Sequence, residues 1–343
     1  MRWAGTRILT PEGLTPGSVL VGPEGRVHRV REGQPEEDPD LPGVVAPAPT
    51  NAHTHLADRR AREKIDAEGL SVEEAVAPPD GLKHRLLRST PTRQLVEGMR
   101  EALEEAHRAG VRRVLDFREG GPRGARALRE AAEPLPVEVT VLGRPSRAEV
   151  WDEEKDLLVD LVDGIGVSGL EDQPLELSRA QARWADDHGK RLALHLSEAR
   201  QEDVDAALSL DPDLIVHATE CTEDELARIA DAGVPVAACP RCNALFDRRP
   251  PLTAMVEAGI DVGLGSDNAM FHEPDPFDEA AFVAREWPEI DAEEILAMAC
   301  SFALEADPSP TVEEGGEIVV VDDRNGLREG IEDRRIQARE DRR

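Results

Sequence analysis

A chain of 343 residues that is 40% hydrophobic and 33% charged is typical of a soluble globular protein with one large domain or two smaller ones. Its formal net charge of −30, spread along the whole length, excludes a surface that attracts nucleic acid or anionic membranes. The sequence shows no signal-peptide segment and no run of about 18 apolar residues, so we expect a cytoplasmic protein without membrane contact.

Both ends of the chain predict short β-strands. Residues 1–42 contain "SVLVGPEGRVHRV", which predicts two strands around a Pro-Glu-Gly turn, and "GGEIVVVDD" predicts another strand at residues 315–323. We expect residues 1–42 and 309–330 to form a small β-sandwich-like domain. The charged residues 331–343 predict a frayed helix or a disordered tail.

Residues 43–308 alternate short apolar runs with longer amphipathic stretches, the α/β pattern of βα units around a parallel sheet. Helical stretches such as "TRQLVEGMREALEEAHRAG" and "EDELARIADAG" close on Ala-Gly, as helix C-termini often do. The eight predicted strands are "VVAPAPTNAH", "VRRVLDF", "VEVTVLG", "GIGVSG", "RLALHL", "LIVHAT", "PVAACP" and "DVGLGS". Eight such units indicate a (β/α)8 TIM barrel.

Candidate metal ligands follow these strands, at the barrel end where functional residues lie. His53 and His55 end the first strand, His195 lies in the fifth, His217 in the sixth, and Asp267 ends the eighth. Side chains two residues apart on a strand point to the same side, so the first two imidazoles can reach one ion. Any one of these residues alone would more often be a buried, hydrogen-bonded polar group than a metal ligand. Together they form a ligand set suited to zinc, iron or manganese.

The segments "NAHTH", "HLSE", "IVHAT", "CPRCNALF" and "GLGSDNAM", in this order and spacing, resemble the amidohydrolase superfamily. They are most similar to its mononuclear-metal deaminases and chlorohydrolases, a branch that includes cytosine, guanine and S-adenosylhomocysteine deaminases and triazine hydrolases. The resemblance implies four metal ligands, His53, His55, His195 and Asp267. It also implies that Glu198 is the proton shuttle and that His217 orients the attacking water.

The resemblance implies one divalent ion, with zinc preferred and iron or manganese as alternatives. Binuclear members of the superfamily carry a bridging carboxylated lysine at the end of the fourth strand, where this chain has Ser168. A zinc-class ion lowers the pKa of its water toward neutrality, and Asp267 can accept the released proton. Glu198 can protonate a ring nitrogen and then the departing ammonia, while His217 can donate to the developing oxyanion.

The pair Cys239 and Cys242 suggests a redox motif or a zinc knuckle. A four-cysteine zinc site needs a second pair, which the sequence lacks, and the four cysteines are too scattered for a disulfide framework. The pair coincides with the end of the seventh strand, where the related deaminases have serine in place of Cys242. We therefore expect no redox function.

The connection spanning residues 56–90 is long enough to fold over the site, and its basic cluster predicts a contact with a phosphate or carboxylate. The alternative is a basic helix start that balances nearby acids. The predicted substrate-binding residues are Lys83, His84, Arg85, Arg118, Arg144 and Asn243. Related deaminases often stack their heterocycle on aromatic residues, but only 3% of this chain is aromatic. The resemblance therefore does not identify a particular substrate for this chain.

The basic residues comprise four lysines and 37 arginines, and tyrosine is absent. Combined with the dense carboxylates, this bias is typical of proteins from salt-accumulating halophiles, in which salt screens the repulsion between acids. The alternative is an acidic protein from a GC-rich genome. Either origin concerns solubility and not chemistry.

The sequence therefore predicts hydrolytic deamination of a purine, a pyrimidine or a related cyclic amidine by metal-bound hydroxide. One alternative is hydrolysis of an amide, N-formyl, N-carbamoyl or C-halide bond at the same site. Another is a non-catalytic barrel that binds a metabolite. The expected partner is a small-molecule substrate, and a homo-oligomer is expected only by analogy.

Overall fold

The computed structural model describes residues 1–23, 25–35, 37–62, 70–76, 81–304 and 310–337. Within them the strands are β1 (Arg2–Ala4), β2 (Arg7–Thr10), β3 (Gly13–Val21), β4 (Val27–Glu32), β5 (Val44–Pro47), β6 (Thr50–His55), β7 (Arg113–Arg118), β8 (Glu138–Gly143), β9 (Gly164–Val167), β10 (Arg191–Leu196), β11 (Leu214–His217), β12 (Val236–Ala238), β13 (Val262–Leu264), β14 (Asp267–Asn268), β15 (Ile318–Val321) and β16 (Ile336–Gln337).

The described helices are α1 (Val72–Ala75), α2 (Leu82–Ser89), α3 (Thr92–Arg108), α4 (Gly121–Ala132), α5 (Trp151–Leu158), α6 (Leu175–Asp187), α7 (Val204–Leu208), α8 (Glu223–Asp231), α9 (Pro240–Leu245), α10 (Leu252–Glu257), α11 (Pro276–Glu286), α12 (Ala292–Cys300) and α13 (Leu327–Glu332). Two short 3₁₀ helices span Leu56–Ala61 and Ala148–Val150. None of these helices combines the length and apolar composition that a membrane crossing requires.

The nine strands β6 to β14 form one parallel sheet in the order β13-β12-β11-β10-β9-β8-β7-β6-β14. Strands β13 and β14 lie at opposite ends of this order, yet only Gly265 and Ser266 separate them in the chain. The sheet therefore curls until its two ends meet, because β13 pairs with β12 while β14 pairs with β6. This curled parallel sheet is consistent with the predicted TIM barrel.

Most residues of the barrel strands are buried because both faces of the sheet are covered. Helices such as α3, α4 and α12 pack on the outer face in the main hydrophobic cluster. A smaller cluster that includes Phe117, Leu142 and Phe302 fills the interior. The interior is tight, because a Cβ atom added to Gly263 would lie 2.4 Å from the Phe302 ring. The cavity at the carboxyl ends of the strands thus stands on a packed core.

A second sheet of seven strands has the order β1-β3-β2-β5-β15-β16, with β4 paired to β3. Its strands come from both ends of the chain. The sequence predicted strands in residues 1–42 and 315–323, and this sheet also includes β5 and β16. Its existence does not test whether the sheet is a separate domain, so the division into domains stays a prediction.

The single predicted strand "VVAPAPTNAH" is divided between the two sheets. β5 pairs with β2 and β15, whereas β6 pairs with β7 in the barrel. Proline has no N–H group and cannot donate to a central ladder, so Pro47 and Pro49 mark the place where the chain changes sheets. The barrel therefore begins at Thr50, and β5 lies outside it.

The segment predicted as a tail is partly structured. α13 continues to Glu332, and β16 pairs antiparallel with β15. The side chain of Arg334 forms ion pairs with Asp275 and Asp278 of the barrel. Such pairings between distant parts of the chain leave no local pattern in a charged sequence. Residues 338–343 lie outside the described residues.

Candidate active site

The predicted ligands come together at the carboxyl ends of the barrel strands. His53 and His55 lie on β6, His195 on β10, His217 on β11 and Asp267 on β14. The ring centroid of His53 lies 4.8 Å from that of His55 and 4.9 Å from that of His195. The ring centroids of His195 and His217 are 5.3 Å apart. All five residues are buried.

Three overlapping groups in this cluster have ligand atoms within 4.8 Å of one another. They are His53, His195 and His217; His53, His55 and Asp267; and Glu198, His217 and Asp267. The distance from Asp267 Oδ1 is 3.4 Å to His53 Nε2 and 3.6 Å to His55 Nε2. Imidazole nitrogens and a carboxylate at these separations suit a divalent metal of the zinc class.

Several buried polar atoms in the cluster make no hydrogen bond with the described residues. These atoms are both ring nitrogens of His53, Nδ1 of His217 and Oδ2 of Asp267. An unpaired buried polar group is costly, and a bound cation would satisfy the lone-pair nitrogen of His53 and the charge of the Asp267 carboxylate. The residues therefore fit a metal ion.

The backbone determines which ring nitrogen carries the proton in two of the histidines. His55 Nδ1 lies 3.0 Å from the carbonyl oxygen of Phe117, and His195 Nδ1 lies 3.0 Å from that of Val167. A carbonyl oxygen only accepts hydrogen bonds, so each Nδ1 carries the proton. The Nε2 lone pair of each ring is then available to a metal.

The backbone turns sharply where the strands end at the site. Ser197, His217, Ala218 and Asp267 have φ angles of 51°, 76°, 49° and 56°, in the left-handed region that non-glycine residues rarely adopt. Such strain clusters at functional sites, where the surrounding structure holds it in place. Thr54 Oγ1 contributes to this support by donating to the Asp267 carbonyl at 2.9 Å.

Glu198 lies two residues beyond β10, at the edge of the ligand cluster. Its Oε2 is 3.7 Å from His217 Nε2, and its side chain keeps 22% of its surface exposed. Burial raises the pKa of Glu198, and the neighbouring His217 opposes this effect. A partly exposed carboxyl group beside the ligands is placed to exchange protons with a bound molecule.

A cavity of about 720 Å³ opens over this cluster. Of the predicted site residues, those that line it are His55, Lys83, Arg85, Arg144, His195, Glu198, His217 and Asp267. A second cavity, of about 1170 Å³, shares Arg144, Ser168 and Asp172 with the first. The site therefore has room for a small-molecule substrate.

The predicted substrate-binding residues are placed differently from one another. Arg85 and Arg144 line the first cavity, while His84 and Arg118 line the second. Arg118 is buried, and its guanidinium donates to Asp116 and Glu119. These contacts turn Arg118 toward the interior.

Lys83 and Asn243 both have polar partners within the protein. Lys83 Nζ lies 2.9 Å from Glu119 Oε1 and donates to Asn268 Oδ1 at 3.1 Å. Asn243 is buried, lines neither of the two cavities described, and accepts from Thr219 Oγ1 at 3.3 Å. A direct substrate contact by either residue stays a prediction.

Asp58, Asp116 and Glu119 are buried acids that were not among the predicted site residues. Glu119 contacts His55, and Asp116 Oδ2 accepts from the backbone N–H of Leu56 at 2.6 Å. Asp116 and Glu119 come at the end of the second barrel strand, a position typical of site residues. That signal is present in the sequence, but among 71 acidic residues it does not distinguish these acids from surface ones.

Comparison with known proteins now identifies the family. A model of the amidohydrolase family matches residues 41–306. The chain belongs to the amidohydrolase family. A relative from Methanothermobacter thermautotrophicus, which carries the provisional name aminohydrolase, is 32% identical over 82% of this chain and 80% of that protein. A 5-methylthioadenosine/S-adenosylhomocysteine deaminase of Halobacterium salinarum is 28% identical over 81% of this chain and 71% of that protein.

Solved structures of similar fold include hydrolases and a deaminase. A triazine hydrolase variant superposes with a TM-score of 0.71 at 19% identity, covering 93% of this chain and 86% of that chain. A zinc complex of atrazine chlorohydrolase from Arthrobacter aurescens has a TM-score of 0.68 at 20% identity and covers 92% and 85%. A guanine deaminase from C. acetobutylicum has a TM-score of 0.68 at 15% identity and covers 98% and 97%.

At these identities the solved structures establish the fold of this amidohydrolase and not its substrate. The predicted resemblance to the deaminase and chlorohydrolase branch is confirmed. Family membership and the histidine–aspartate cluster support a metal-dependent hydrolase of C–N bonds.

Proposed function

We propose that this amidohydrolase deaminates a purine, a pyrimidine or a related cyclic amidine, with one divalent metal, preferably zinc, held by His53, His55, His195 and Asp267. The observation that carries the proposal is the position of Glu198. Its carboxyl group lines the cavity and lies 3.7 Å from His217, within the same cluster as Asp267. A proton donor thus stands beside the ligands and faces the space for substrate.

When bound, the metal supplies Lewis acidity that brings the pKa of a water molecule toward neutrality. Asp267 Oδ2, which makes no hydrogen bond with the described residues, can take the proton that the water loses. Glu198 protonates a ring nitrogen of the amidine, which makes the neighbouring carbon electrophilic. It then takes the proton of the hydroxyl group added to that carbon and passes it to the amino group, which leaves as ammonia. The proton held by Asp267 returns to Glu198, so both carboxyl groups regain their starting states. His217 donates to the oxygen that develops negative charge.

The first test is turnover of Glu198→Gln, which keeps the size of the side chain but cannot carry the proton. Protein purified in high salt and loaded with zinc is mixed with nucleobases and nucleosides, and ammonia is measured. We expect the wild type to release ammonia from at least one compound and the variant to be slowed roughly 100-fold or more. Zinc content should be unchanged in the variant.

Glu153→Gln provides the matched control, because Glu153 is exposed on α5 and lies outside both cavities. Its turnover should equal that of the wild type. Full turnover in Glu198→Gln would contradict the proposed acid–base role.

The same samples separate the alternatives. Mass spectrometry of products from amides, N-formyl and N-carbamoyl compounds and chlorinated triazines would reveal hydrolysis of another bond at this site. If the folded wild type binds no zinc, iron or manganese, the non-catalytic barrel becomes the better account.

A further inference from the structure

Glu119 adjoins the ligand cluster but belongs neither to the ligand set nor to the proposed acid–base residues. It follows β7 and is buried. Its Oε1 lies 2.9 Å from His55 Nδ1, 2.9 Å from Lys83 Nζ and 3.3 Å from Arg144 Nη2. Its Oε2 accepts from Arg118. One carboxylate therefore joins a ligand to three cationic side chains.

The contact with His55 bears on the metal directly. His55 Nδ1 faces two acceptors, the neutral carbonyl of Phe117 and the charged carboxylate of Glu119. A carboxylate behind a ligating imidazole raises the basicity of the ring and fixes its orientation. Phe117 alone would select the tautomer, so the specific contribution of Glu119 is its negative charge.

The Lys83 ammonium group is surrounded by oxygen atoms of the protein. It has three N–H donors, and three carboxylate or amide oxygens lie near it. They are Glu119 Oε1 at 2.9 Å, Asn268 Oδ1 at 3.1 Å and Asp58 Oδ2 at 3.6 Å. The ammonium group is thus enclosed by protein oxygens on the cavity wall. This arrangement suits an internal cation that compensates the charge of buried Glu119.

We propose that Glu119 is a positioning residue that strengthens metal binding through His55, and that Lys83 compensates the charge of Glu119 instead of binding substrate. The inference rests on the proposed metal site but not on the proposed substrate. Its test is therefore the affinity for zinc, which requires no turnover.

Glu119 and Lys83 carry opposite charges, so removing one or the other should change the affinity for zinc in opposite directions. Glu119→Gln removes a negative charge from the surroundings of a divalent cation and leaves a weaker acceptor for His55, so zinc should bind more weakly. Lys83→Met removes a positive charge, so zinc should bind at least as tightly as to the wild type. The double variant keeps the net charge and should lie between the two single variants.

The zinc dissociation constant is measured on metal-free protein by competition with a chromophoric chelator. We expect Glu119→Gln to raise it about 10–100-fold. Glu105→Gln is the matched control, because Glu105 is also buried and paired with two arginines, Arg59 and Arg62, but contacts no ligand. It should lower the unfolding temperature and leave the zinc dissociation constant unchanged.

A dissociation constant within about twofold of the wild type in folded Glu119→Gln would overturn the proposal. If that variant does not fold, as judged by circular dichroism, Lys83→Met decides. Weaker zinc binding in Lys83→Met would mean that the network acts by packing and not by charge. If the wild type itself binds no zinc, the proposed metal site fails as well, and the two failures are distinguished.

Discussion

Glu279 is a fully buried carboxyl group on α11 that pairs with Arg241 of α9. Its Oε2 accepts from the backbone N–H of Arg241 on α9 at 3.0 Å, and its Oε1 lies 3.5 Å from the Arg241 guanidinium. Burial raises the pKa of Glu279 from 4.5 to about 8, although Arg241 opposes this effect. The folded protein therefore binds a proton at this carboxyl group more tightly than the unfolded chain does.

This shift predicts a pH dependence of stability. The contribution of Glu279 is fully present below its ordinary pKa and is lost as the pH rises through about 8. Glu279→Gln has no group to ionise, so its free energy of unfolding should fall less than that of the wild type between about pH 5 and about pH 8. Urea unfolding at constant high salt measures both. A difference between the two proteins that does not vary with pH would contradict the assignment.

Single residues also show what the sequence could and could not reveal. The convergence of His53, His195 and Asp267 could be predicted, because the carboxyl ends of parallel strands share one edge of the sheet. The role of Glu119 could not, because it depends on Lys83 of α2 and on Arg144, which follows β8, and no local pattern encodes their approach. The interpretation of Lys83 as an anion-binding residue followed from its charge and its place in a long connection, without knowledge of the acids that surround it.

At the scale of elements, the approach of β13 to β6 depends on Gly265. A Cβ atom there would lie 2.7 Å from His53 Cβ and 2.9 Å from both N and O of His53. The neighbouring backbone has little freedom to move, because Asn51 donates to Ser266 Oγ at 2.8 Å and accepts from Ser266 N at 3.2 Å. The glycine thus lets the strand that carries Asp267 reach the strand that carries His53.

We expect Gly265→Ala to lower the stability by about 1–3 kcal/mol and to weaken zinc binding by displacing His53. Gly189→Ala is the comparison, because a Cβ there meets nothing within 4 Å and only its φ of +59° is unfavourable. It should cost about 1–2 kcal/mol of stability without changing the zinc dissociation constant. Thermal unfolding and chelator competition measure the two effects. Wild-type zinc affinity in Gly265→Ala would refute the steric argument.

The elements themselves were predictable to the extent that they carry a periodic apolar pattern. β10 occupies the predicted residues 191–196, and α3 occupies most of its predicted stretch. The division between β5 and β6 was not predicted, because both pieces are apolar and only their partners differ. β16 follows charged residues and is defined by its pairing with β15.

For the whole molecule, the net charge of −30 predicts a dependence on salt. Repulsion between surface carboxylates destabilises the compact state at low ionic strength, and about 1 M KCl shortens the screening length to about 3 Å. We expect the unfolding temperature to rise steadily from about 0.1 M to about 1 M KCl. Sucrose, which favours compact states without screening charge, should give a smaller rise. An unfolding temperature that does not respond to KCl would remove the support for a halophilic origin.

The contact between β6 and β14 has a consequence for biosynthesis. The hydrogen bond from Thr54 to Asp267 spans 213 residues of sequence, so the first two histidines leave the ribosome long before the carboxylate that completes their site. A nascent chain can offer a metal only part of the ligand set until its last barrel strand has docked. The complete ligand set that we propose is therefore assembled only when the two ends of the barrel sheet meet.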